Sequence, residues 1–453
     1  TTIAGLFKDC KKLTSLDVSK WNVDNVEWFN GAFWNCQSLT ALDLSNWTTK
    51  DAVDMNSMFY NCGKLTSVGS LNFSCINLTN AFRNCTNFKR ISTDNLPDLT
   101  KCTSYAYAFA GSALEEIEIP DITADADIGT LEGMFADCEN FTSYTFGTNY
   151  LPYEVTSTAN MFLNTKISKL LPIIESPVEL NMTGMYKGCT LLTECYKEIP
   201  VNVINMSQTF SGTGITSVGM TVRSHVINMN KTFANCLALD NLSLVFDHNA
   251  RNGKVTNMVA LADQCKALRT AYIKFPEQFE IDAAYQTGMT YYWMFRGCSL
   301  LESFETDMSR MSAEAVADFG GMFQDTSNVK SIKGLDLSHV KRTVYNKYLS
   351  GYGYYDSHDF SILYNMEISR LSTFEITGAL PQSYHFGAFS DTKHFVFIKD
   401  ILRHLAPVVN ETLSFGINVM RYIDPAQTAS EMIDQELKQL VEAANSKGWT
   451  ISA

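Results

Sequence analysis

Apolar and polar residues recur along the chain in one frame. An aromatic anchor is followed by Cys three positions later, and apolar residues stand three, six and eight positions beyond the Cys, as in residues 33–47. The anchor recurs at Phe7, Phe33, Phe59, Phe82, Phe109, Phe135, Phe162, Tyr186, Phe210, Phe233, Phe295, Phe323 and Phe389, with Ala262 in its place once. Up to Phe233 the anchors are 23 to 27 residues apart. Such a period indicates a solenoid of stacked repeats.

Each repeat shows two kinds of periodicity. Met55, Phe59 and Cys62 have the spacing i, i+4 and i+7, which places them on one face of a short helix. Leu42 and Leu44 flank Asp43, an alternation typical of a short strand with its leucines inward and its aspartate outward. We therefore expect one short helix and one short strand per repeat. Strands about 4.8 Å apart, opposite helices about 10 Å apart, would curve the stack with the strands on its inner side.

The predicted fold class is α/β, a right-handed leucine-rich-repeat solenoid of about 14 units over residues 1–423. The 66-residue gap between Phe323 and Phe389 would contain one degenerate unit and an irregular Tyr-rich insertion at 341–361. Apolar residues recur at helical spacing over 429–445, and Trp449 and Ile451 follow. This pattern predicts a C-terminal capping helix and a last strand within residues 424–453.

The best-formed repeats, residues 7–21, 33–47 and 58–68, carry the frame Phe-x-x-Cys-x-x-Leu-x-x-Leu, with Val68 at the last position of the third, and the first two continue it with Asp-x-Ser-x-Trp. Together with the closing residues 447–451, this frame resembles the BspA-like leucine-rich-repeat surface proteins, whose repeat also occurs in mycoplasma lipoproteins. The resemblance implies an exported bacterial protein displayed on the cell surface, often an adhesin or matrix-binding protein, without catalytic residues. We expect any export signal or lipid anchor to lie outside this sequence.

Composition narrows the class of protein further. The 453 residues include 35 Lys+Arg and 48 Asp+Glu, which gives a formal charge of −13. The 28 Phe and 20 Tyr are too many for a disordered chain. The acidic balance argues against binding to nucleic acid, which requires basic clusters. Because no apolar run approaches about 18 residues, we expect no transmembrane segment.

Nine of the 12 cysteines occupy the Cys position of the frame. An even number of cysteines in an exported protein suggests disulfides, but equivalent helix positions about 10 Å apart exceed the roughly 7 Å limit between Cα atoms. Ser112 and Thr165 replace Cys in other units, so the position requires a small, buried side chain. We therefore expect a row of reduced thiols. No Cys-x-x-Cys pair suggests a metal site, and pairing among Cys75, Cys102 and Cys195 remains open.

Outward strand positions supply the first candidate partner-binding residues. Asp17, Asp43 and Glu118 give this row an acidic character in the N-terminal half of the chain. Solenoids bind partners through such extended faces, and a basic or hydroxyl-rich ligand would match this one. The alternative is an ordinary solvated sheet surface.

Aromatic clusters supply the second group of candidates. The insertion contributes Tyr345, Tyr348, Tyr352, Tyr354 and Tyr355, interleaved with glycines as in adaptable recognition loops. A second cluster comprises Tyr285, Tyr291, Tyr292 and Trp293. Either cluster could instead fill a distorted part of the stack. Trp21 and Trp47 follow well-formed strands and are expected to pack over the core, with sugar stacking as the alternative.

These patterns favour a non-enzymatic, adhesin-like surface protein. We expect a monomer that binds a host or matrix protein, or a glycan, through its repeat surface. A structural stalk that presents another domain is the alternative. The seven histidines match no zinc motif, and no Gly-x-Ser-x-Gly, phosphate-binding or dinucleotide-binding loop is present. The sequence thus predicts no catalytic residue, cofactor or metal.

Overall fold

The structure is a computed structural model that describes residues 1–123, 126–148, 150–223, 226–246, 257–275, 289–309, 311, 317–339, 362–363, 366, 370–378, 384–386, 395–405, 411–415 and 434–452. It divides into two compact units, Thr1–Ile215 and Thr216–Ala453.

Short parallel strands make up most of the regular structure. The first unit contains β1 (Val53–Asp54), β2 (Cys75–Asn77), β3 (Glu116–Ile119), β4 (Ser143–Phe146), β5 (Leu180–Asn181), β6 (Glu198–Ile199) and β7 (Val203–Asn205). The second contains β8 (Ser217–Val222), β9 (Asn241–Phe246), β10 (Thr270–Lys274), β11 (Met289–Thr290), β12 (Ser303–Asp307), β13 (Ala317–Asp318), β14 (Ser331–Asp336), β15 (Thr373–Thr377), β16 (Tyr384–Phe386), β17 (Glu411–Phe415) and β18 (Trp449–Ser452). The α-helices are α1 (Phe395–Arg403) and α2 (Gln435–Ser446), and single 3₁₀ turns span Thr93–Asn95 and Leu337–His339.

Two parallel ladders run along the first unit. The first ladder joins residues five positions before each anchor, from Thr2 through Trp28 and Asp54 onwards. We call this set the capping row: Thr2, Trp28, Asp54, Asn77, Ser104, Thr130, Ser157, Asn181 and Asn205. The second ladder, the strand face, follows the anchors and includes the bridges Ala41–Ser67 and Arg90–Glu116 and the pair β3–β4.

In the second unit the strand face is a regular parallel sheet. Strands β8, β9, β10, β12, β14 and β15 lie side by side in chain order. Ala271 of β10 is in register with Leu242 of β9 and with Phe304 of β12, and all three side chains are buried. The alternation of apolar and polar residues therefore directs one side of each strand into the core.

A helix and a strand end the chain. Helix α2 begins after Asp434, whose carboxylate accepts the Leu437 N–H at 2.9 Å. Strand β18 then pairs with β17, with Ile451 opposite Leu413. Both elements lie within the closing segment that we predicted. The boundary at residue 424, the number of units and the right-handed winding remain predictions.

The predicted short helix in each repeat is wrong. Ala32, Trp34 and Cys36 donate their N–H groups to carbonyls only three residues back, at 3.0, 3.0 and 3.2 Å. The intervening N–H groups donate to the next coil, as Phe33 does to Met58 at 2.9 Å. The segment is thus a chain of tight turns hydrogen-bonded across coils, whereas an α-helix bonds residues four apart within itself.

Left-handed residues explain why no helix forms. The residues two before and two after each anchor that the structure describes have positive φ, as at Gly31 (59°) and Asn35 (61°). A right-handed helix excludes this conformation, which Gly, Asn and Asp adopt most readily. Because both sides of the described coils are hydrogen-bonded at the spacing of β-strands, the predicted row of wide helices is absent. The described coils therefore lack the difference in spacing between helices and strands from which we predicted a curved stack.

The aromatic anchors form the centre of the core. The ring centroids of Phe33 and Phe59 are 5.6 Å apart, those of Phe59 and Phe82 5.3 Å, and those of Phe82 and Phe109 5.5 Å. The rings are nearly parallel and fully buried. Each coil therefore buries its anchor against its neighbours, which is why the repeats stabilise one another.

Candidate functional site

Two of the predicted acidic residues lie in consecutive coils of the strand face. Asp17 and Asp43 are exposed, and each Oδ1 accepts the N–H and the hydroxyl of the serine two residues later, at 3.0 and 2.6 Å. These hydrogen bonds from Ser19 and Ser45 lower the pKa of both carboxyls. The two aspartates are therefore ionised, and each holds its own turn together.

Glu118 is not close to the aspartates. It is an exposed residue of β3, in register with Thr145 of β4. Its coil begins at Phe109, three anchors after the Phe33 coil that carries Asp43. The structure thus brings Asp17 and Asp43 to one region and leaves Glu118 elsewhere on the same face.

Asp43 borders a cleft in the strand face, which we call the Asp43 cleft. Its volume is about 390 Å³, and its lining includes Asp43, Ser45, Gly69, Arg90 and Asn95. The cleft opens between the bridge Ala41–Ser67 and the bridge Arg90–Glu116. The coil between them has only 23 residues from Phe59 to Phe82, against 26 in the two coils before it. This shorter coil lies where the strand-face ladder is interrupted, between Ser67 and Arg90.

A hydrogen-bond network fixes the floor of the cleft. Gly69 has a φ of 70°, and a Cβ atom there would lie 2.5 Å from Asp43 Oδ1. The Asn95 amide donates to the Gly69 carbonyl at 3.0 Å, and the Ser70 N–H donates to Ser45 Oγ at 3.1 Å. Only glycine therefore leaves room for the Asp43 carboxylate at this position.

The walls of the cleft carry opposite charges. Arg90 Nη2 lies 3.4 Å from Glu115 Oε2 and 3.9 Å from Glu116 Oε1, and its side chain is 72% exposed. Such exposed ion pairs are weak, so the guanidinium can turn towards a ligand at little cost. The cleft can thus bind a polar ligand that presents both donors and acceptors, with Asp43 opposite Arg90.

The aromatic candidates divide into two groups. Tyr345, Tyr348, Tyr352, Tyr354, Tyr355 and Tyr285 lie outside the described residues, so their binding role remains a prediction. Tyr291, Tyr292 and Trp293 are buried, with the Tyr291 ring stacked 5.1 Å from Phe319. The guanidinium of Arg296 lies 4.7 Å from the Trp293 ring and is paired with Asp263 at 2.6 and 2.9 Å. These three residues belong to the packed core.

The packing prediction for Trp21 and Trp47 is confirmed. Trp47 is fully buried and donates its indole N–H to the Val18 carbonyl at 3.3 Å. Trp21 stacks between Trp47 and Phe7, with centroid distances of 6.1 and 5.9 Å. The buried Trp47 ring is therefore not available as a sugar-stacking platform, whereas Trp21 is half-buried.

None of the 12 cysteines is in a disulfide. The geometric reason that we gave is wrong, because the coils are hydrogen-bonded on this side too. Instead, Cys62 Sγ donates to the Phe33 carbonyl at 3.0 Å, and Cys138 Sγ donates to the Phe109 carbonyl at 3.0 Å. Burial raises the pKa of Cys62 to about 12 and that of Cys138 to about 11. The position thus requires a small hydrogen-bond donor, which also explains Thr165, whose hydroxyl bonds the Phe162 carbonyl at 2.9 Å.

One surface feature escaped the sequence analysis. Residues that directly follow the anchors form an aromatic–cation row, in which Trp34 and Tyr60 are 4.6 Å apart. Lys8 Nζ lies 4.8 Å from the Trp34 ring, and the Arg83 guanidinium lies 4.7 Å from the Tyr107 ring. The sequence contains a signal for this row, because a basic or aromatic residue directly follows each of the first four anchors. Because the ring faces cover one another or face cations, only their edges are open to a ligand.

In the part of the chain that the structure describes, no three His, Cys, Asp or Glu side chains form a group that could hold a metal ion. Nor does any described helix have the length and hydrophobicity needed to span a membrane.

Comparison with known proteins identifies the repeat. Residues 55–192 and 105–240 match the BspA type leucine-rich repeat region, and residues 1–96 and 227–348 match the family described as Mycoplasma protein of unknown function, DUF285. No curated protein matches the sequence.

Solved structures similar to the chain include two bacterial leucine-rich-repeat proteins. A leucine-rich repeat protein from Bacteroides ovatus has 18% identity and a TM-score of 0.35 over 78% of this chain and 88% of its own. A leucine-rich cell surface protein from Faecalibacterium prausnitzii has 13% identity and a TM-score of 0.30 over 78% of this chain and 76% of its own.

Proposed function

We propose that this chain, which carries a leucine-rich repeat region of the BspA type, is a non-enzymatic, adhesin-like binding protein of the bacterial cell surface. Its partner would be a host or matrix protein, or a glycan, bound as a monomer through the strand face. The observation that carries the proposal is the Asp43 cleft, an opening at an interruption of the strand-face ladder with a carboxylate and a guanidinium on its walls.

The rigidity of the cleft supports binding. Stacked anchors and hydrogen bonds between coils hold both walls, and the Asn95 and Ser70 bonds fix the floor. A preformed site loses little conformational entropy when a ligand binds. The ionised Asp43 would accept hydrogen bonds from hydroxyl or ammonium groups, and Arg90 would donate to carbonyl or carboxylate groups.

Paired substitutions test the cleft. The chain would be passed over immobilised matrix proteins and glycans, and binding of Asp43→Asn and Arg90→Ala measured against any partner retained. We expect about tenfold weaker binding for each variant, the usual effect of losing one charged contact. Asp307→Asn is the matched control, because Asp307 accepts the same two hydrogen bonds, from Ser309 of its own turn, outside the cleft. Equal binding by all three variants would contradict a role for the cleft.

A deletion tests the predicted insertion separately. A chain without residues 342–360 should lose partner binding if the Tyr-rich insertion is a recognition loop. Unchanged binding would remove this segment from the proposal while leaving the cleft in place.

The second candidate is a structural stalk that presents another domain. The continuous stack of buried aromatic rings favours it, because stacked repeats transmit rigidity along a unit. A chain that retains no partner in the screen, and whose full-length form carries a separate binding domain, would support the stalk.

A further inference from the structure

Trp28 differs from the other five tryptophans. Trp47 and Trp449 are buried, Trp21 and Trp34 stack on aromatic rings, and Trp293 is buried against Arg296. The Trp28 side chain is 49% exposed. Among the residues that the structure describes, its indole contacts no aromatic ring or cation and makes no hydrogen bond. This large apolar ring therefore lies open to solvent.

Trp28 also breaks the rule of the capping row. The other members accept the N–H group two residues later through a side-chain oxygen: Thr2 at 2.9 Å, Asp54 at 2.8 Å, Asn77 at 3.0 Å, Ser104 at 3.5 Å, Thr130 at 3.1 Å, Ser157 at 3.3 Å, Asn181 at 3.1 Å and Asn205 at 2.9 Å. An indole has no oxygen, so Trp28 cannot make this bond. The neighbouring Asn30 Oδ1 is buried and has no hydrogen-bond partner within the described residues.

Departures from a local folding rule concentrate at functional sites. A residue with a side-chain oxygen at position 28, such as Asp, Asn, Ser or Thr, would make the capping hydrogen bond. Tryptophan cannot make it and also exposes apolar surface. Neither the lost cap nor the exposed apolar surface benefits the fold. A role of Trp28 in binding accounts for both features.

The surroundings of Trp28 identify the ligand class. Its bridge partners on the two adjacent coils are Thr2 and Asp54, so short polar side chains flank the indole on both sides. Asn77 follows on the next coil. An aromatic face attracts polarised C–H groups, and the adjacent hydroxyl, carboxylate and amide groups form hydrogen bonds with hydroxyls. A sugar ring presents this combination, with C–H groups on its face and hydroxyls around its rim.

We propose that Trp28 is the stacking platform of a neutral glycan site on the capping row, separate from the Asp43 cleft. One hexopyranose ring lies on the indole, and its hydroxyls bond to Asp54, Thr2 and Asn77. The carboxylate of Asp54 disfavours sialylated or sulfated sugars. A protein partner fits less well, because interface cores surround an aromatic anchor with apolar residues.

The test separates binding from folding. The whole chain is screened on an array of neutral gluco-, manno- and galacto-oligosaccharides with sialylated and sulfated counterparts, and the best ligand is titrated by calorimetry and tryptophan fluorescence. We expect binding of a neutral oligosaccharide and at least about tenfold weaker binding of its sialylated form. Trp28→Asn should lower affinity by about tenfold or more and abolish the fluorescence change. Its melting temperature should fall by less than that of Trp34→Asn, because the restored cap offsets part of the apolar burial that is lost.

Trp34→Asn is the matched control, since Trp34 is a half-buried indole in the same coil whose ring stacks on Tyr60. It should lower the melting temperature and leave glycan affinity unchanged. The proposal is overturned if no neutral glycan binds, if Trp28→Asn binds as well as the original chain, or if Trp28→Asn lowers the melting temperature as much as Trp34→Asn does. Loss of a protein partner in Trp28→Asn without any glycan binding would also overturn it. The Asp43 test is independent of all these outcomes.

Discussion

At the scale of single residues, backbone conformation decides which side chain fits. Tyr107 has a φ of 54°, and its ring lies over Gly133 of the next coil, where a Cβ atom would be 2.2 Å from the ring. Trp293 and Gly321 repeat this arrangement, with a Cβ distance of 2.9 Å. A bulky residue in the left-handed conformation is accommodated here because its neighbour is glycine.

Gly133→Ala tests this pairing. The substitution introduces a clash with Tyr107 and places alanine at a φ of 58°. We expect the free energy of unfolding to fall by about 2–4 kcal/mol, from left-handed strain and overpacking together. Urea denaturation measures the change.

Gly129→Ala is the control in the same coil. Its Cβ atom would meet only the Thr103 carbonyl, at 3.7 Å. Its free energy of unfolding should change by less than about 1 kcal/mol. Equal effects of the two substitutions would show that the Tyr107 contact does not matter.

At the scale of elements, the C-terminal helix shows how a local signal becomes a tertiary contact. Asp434 caps α2 through the Leu437 N–H and also lies 2.8 Å from Lys399 of α1. These contacts lower the pKa of Asp434 against the opposing effect of its burial. One carboxylate thus starts the helix and joins it to its neighbour.

Asp434→Ala should lower the free energy of unfolding by about 1–2 kcal/mol, because the cap and the ion pair are both lost. Hydrogen exchange should accelerate first at Leu437 and Lys438 in the first turn of α2. Asp434→Asn keeps the capping oxygen and should recover about half of the loss. If the two variants have the same free energy of unfolding, the effect of Asp434 comes from the ion pair alone.

The elements also show where periodicity is ambiguous. Met55, Phe59 and Cys62 are all buried, as their spacing predicts, although the backbone between them is a series of turns. Both conformations direct residues i, i+4 and i+7 inward, so the hydrophobic pattern cannot distinguish them. Asn35 and Asn61 before the cysteines were the missing signal, because asparagine favours positive φ.

At the scale of the whole molecule, the thiols link folding to pH. Burial raises the pKa of Cys36, Cys138 and Cys189 to about 11 and that of Cys62 to about 12. Unfolded thiols titrate nearer 9. Above that pH the unfolded chain holds fewer protons than the folded chain, so stability falls as pH rises.

Urea denaturation between pH 7 and pH 10.5 should therefore show constant thiol-linked stability up to about pH 8.5 and a decline above it. Each buried thiol contributes up to about 1.4 kcal/mol per pH unit. Cys62→Thr, which introduces a residue found at this position in other coils, should reduce the slope by about one proton. An unchanged slope would mean that Cys62 does not titrate on unfolding.

Thiol counting provides an independent measurement. The denatured chain, without reductant, should yield close to 12 reactive thiols. In the native state the exposed Cys10 and the half-buried Cys195 should react first, because the ten other thiols are buried. Six disulfides found by mass spectrometry would contradict the reduced row.

The sequence by itself determined the repeat, the inward-facing residues and the similarity of residues 55–240 to the BspA type, because burial in a solenoid repeats one local pattern in every unit. It also identified Asp43, since an outward position follows from strand alternation alone. Only the tertiary structure showed that the coils are turns bonded to their neighbours, because those hydrogen bonds join residues about one repeat apart. The Asp43 cleft and the exposure of Trp28 were likewise visible only in the tertiary structure. Each depends on what the adjacent coil places beside it, and the pattern within a single coil does not contain that information.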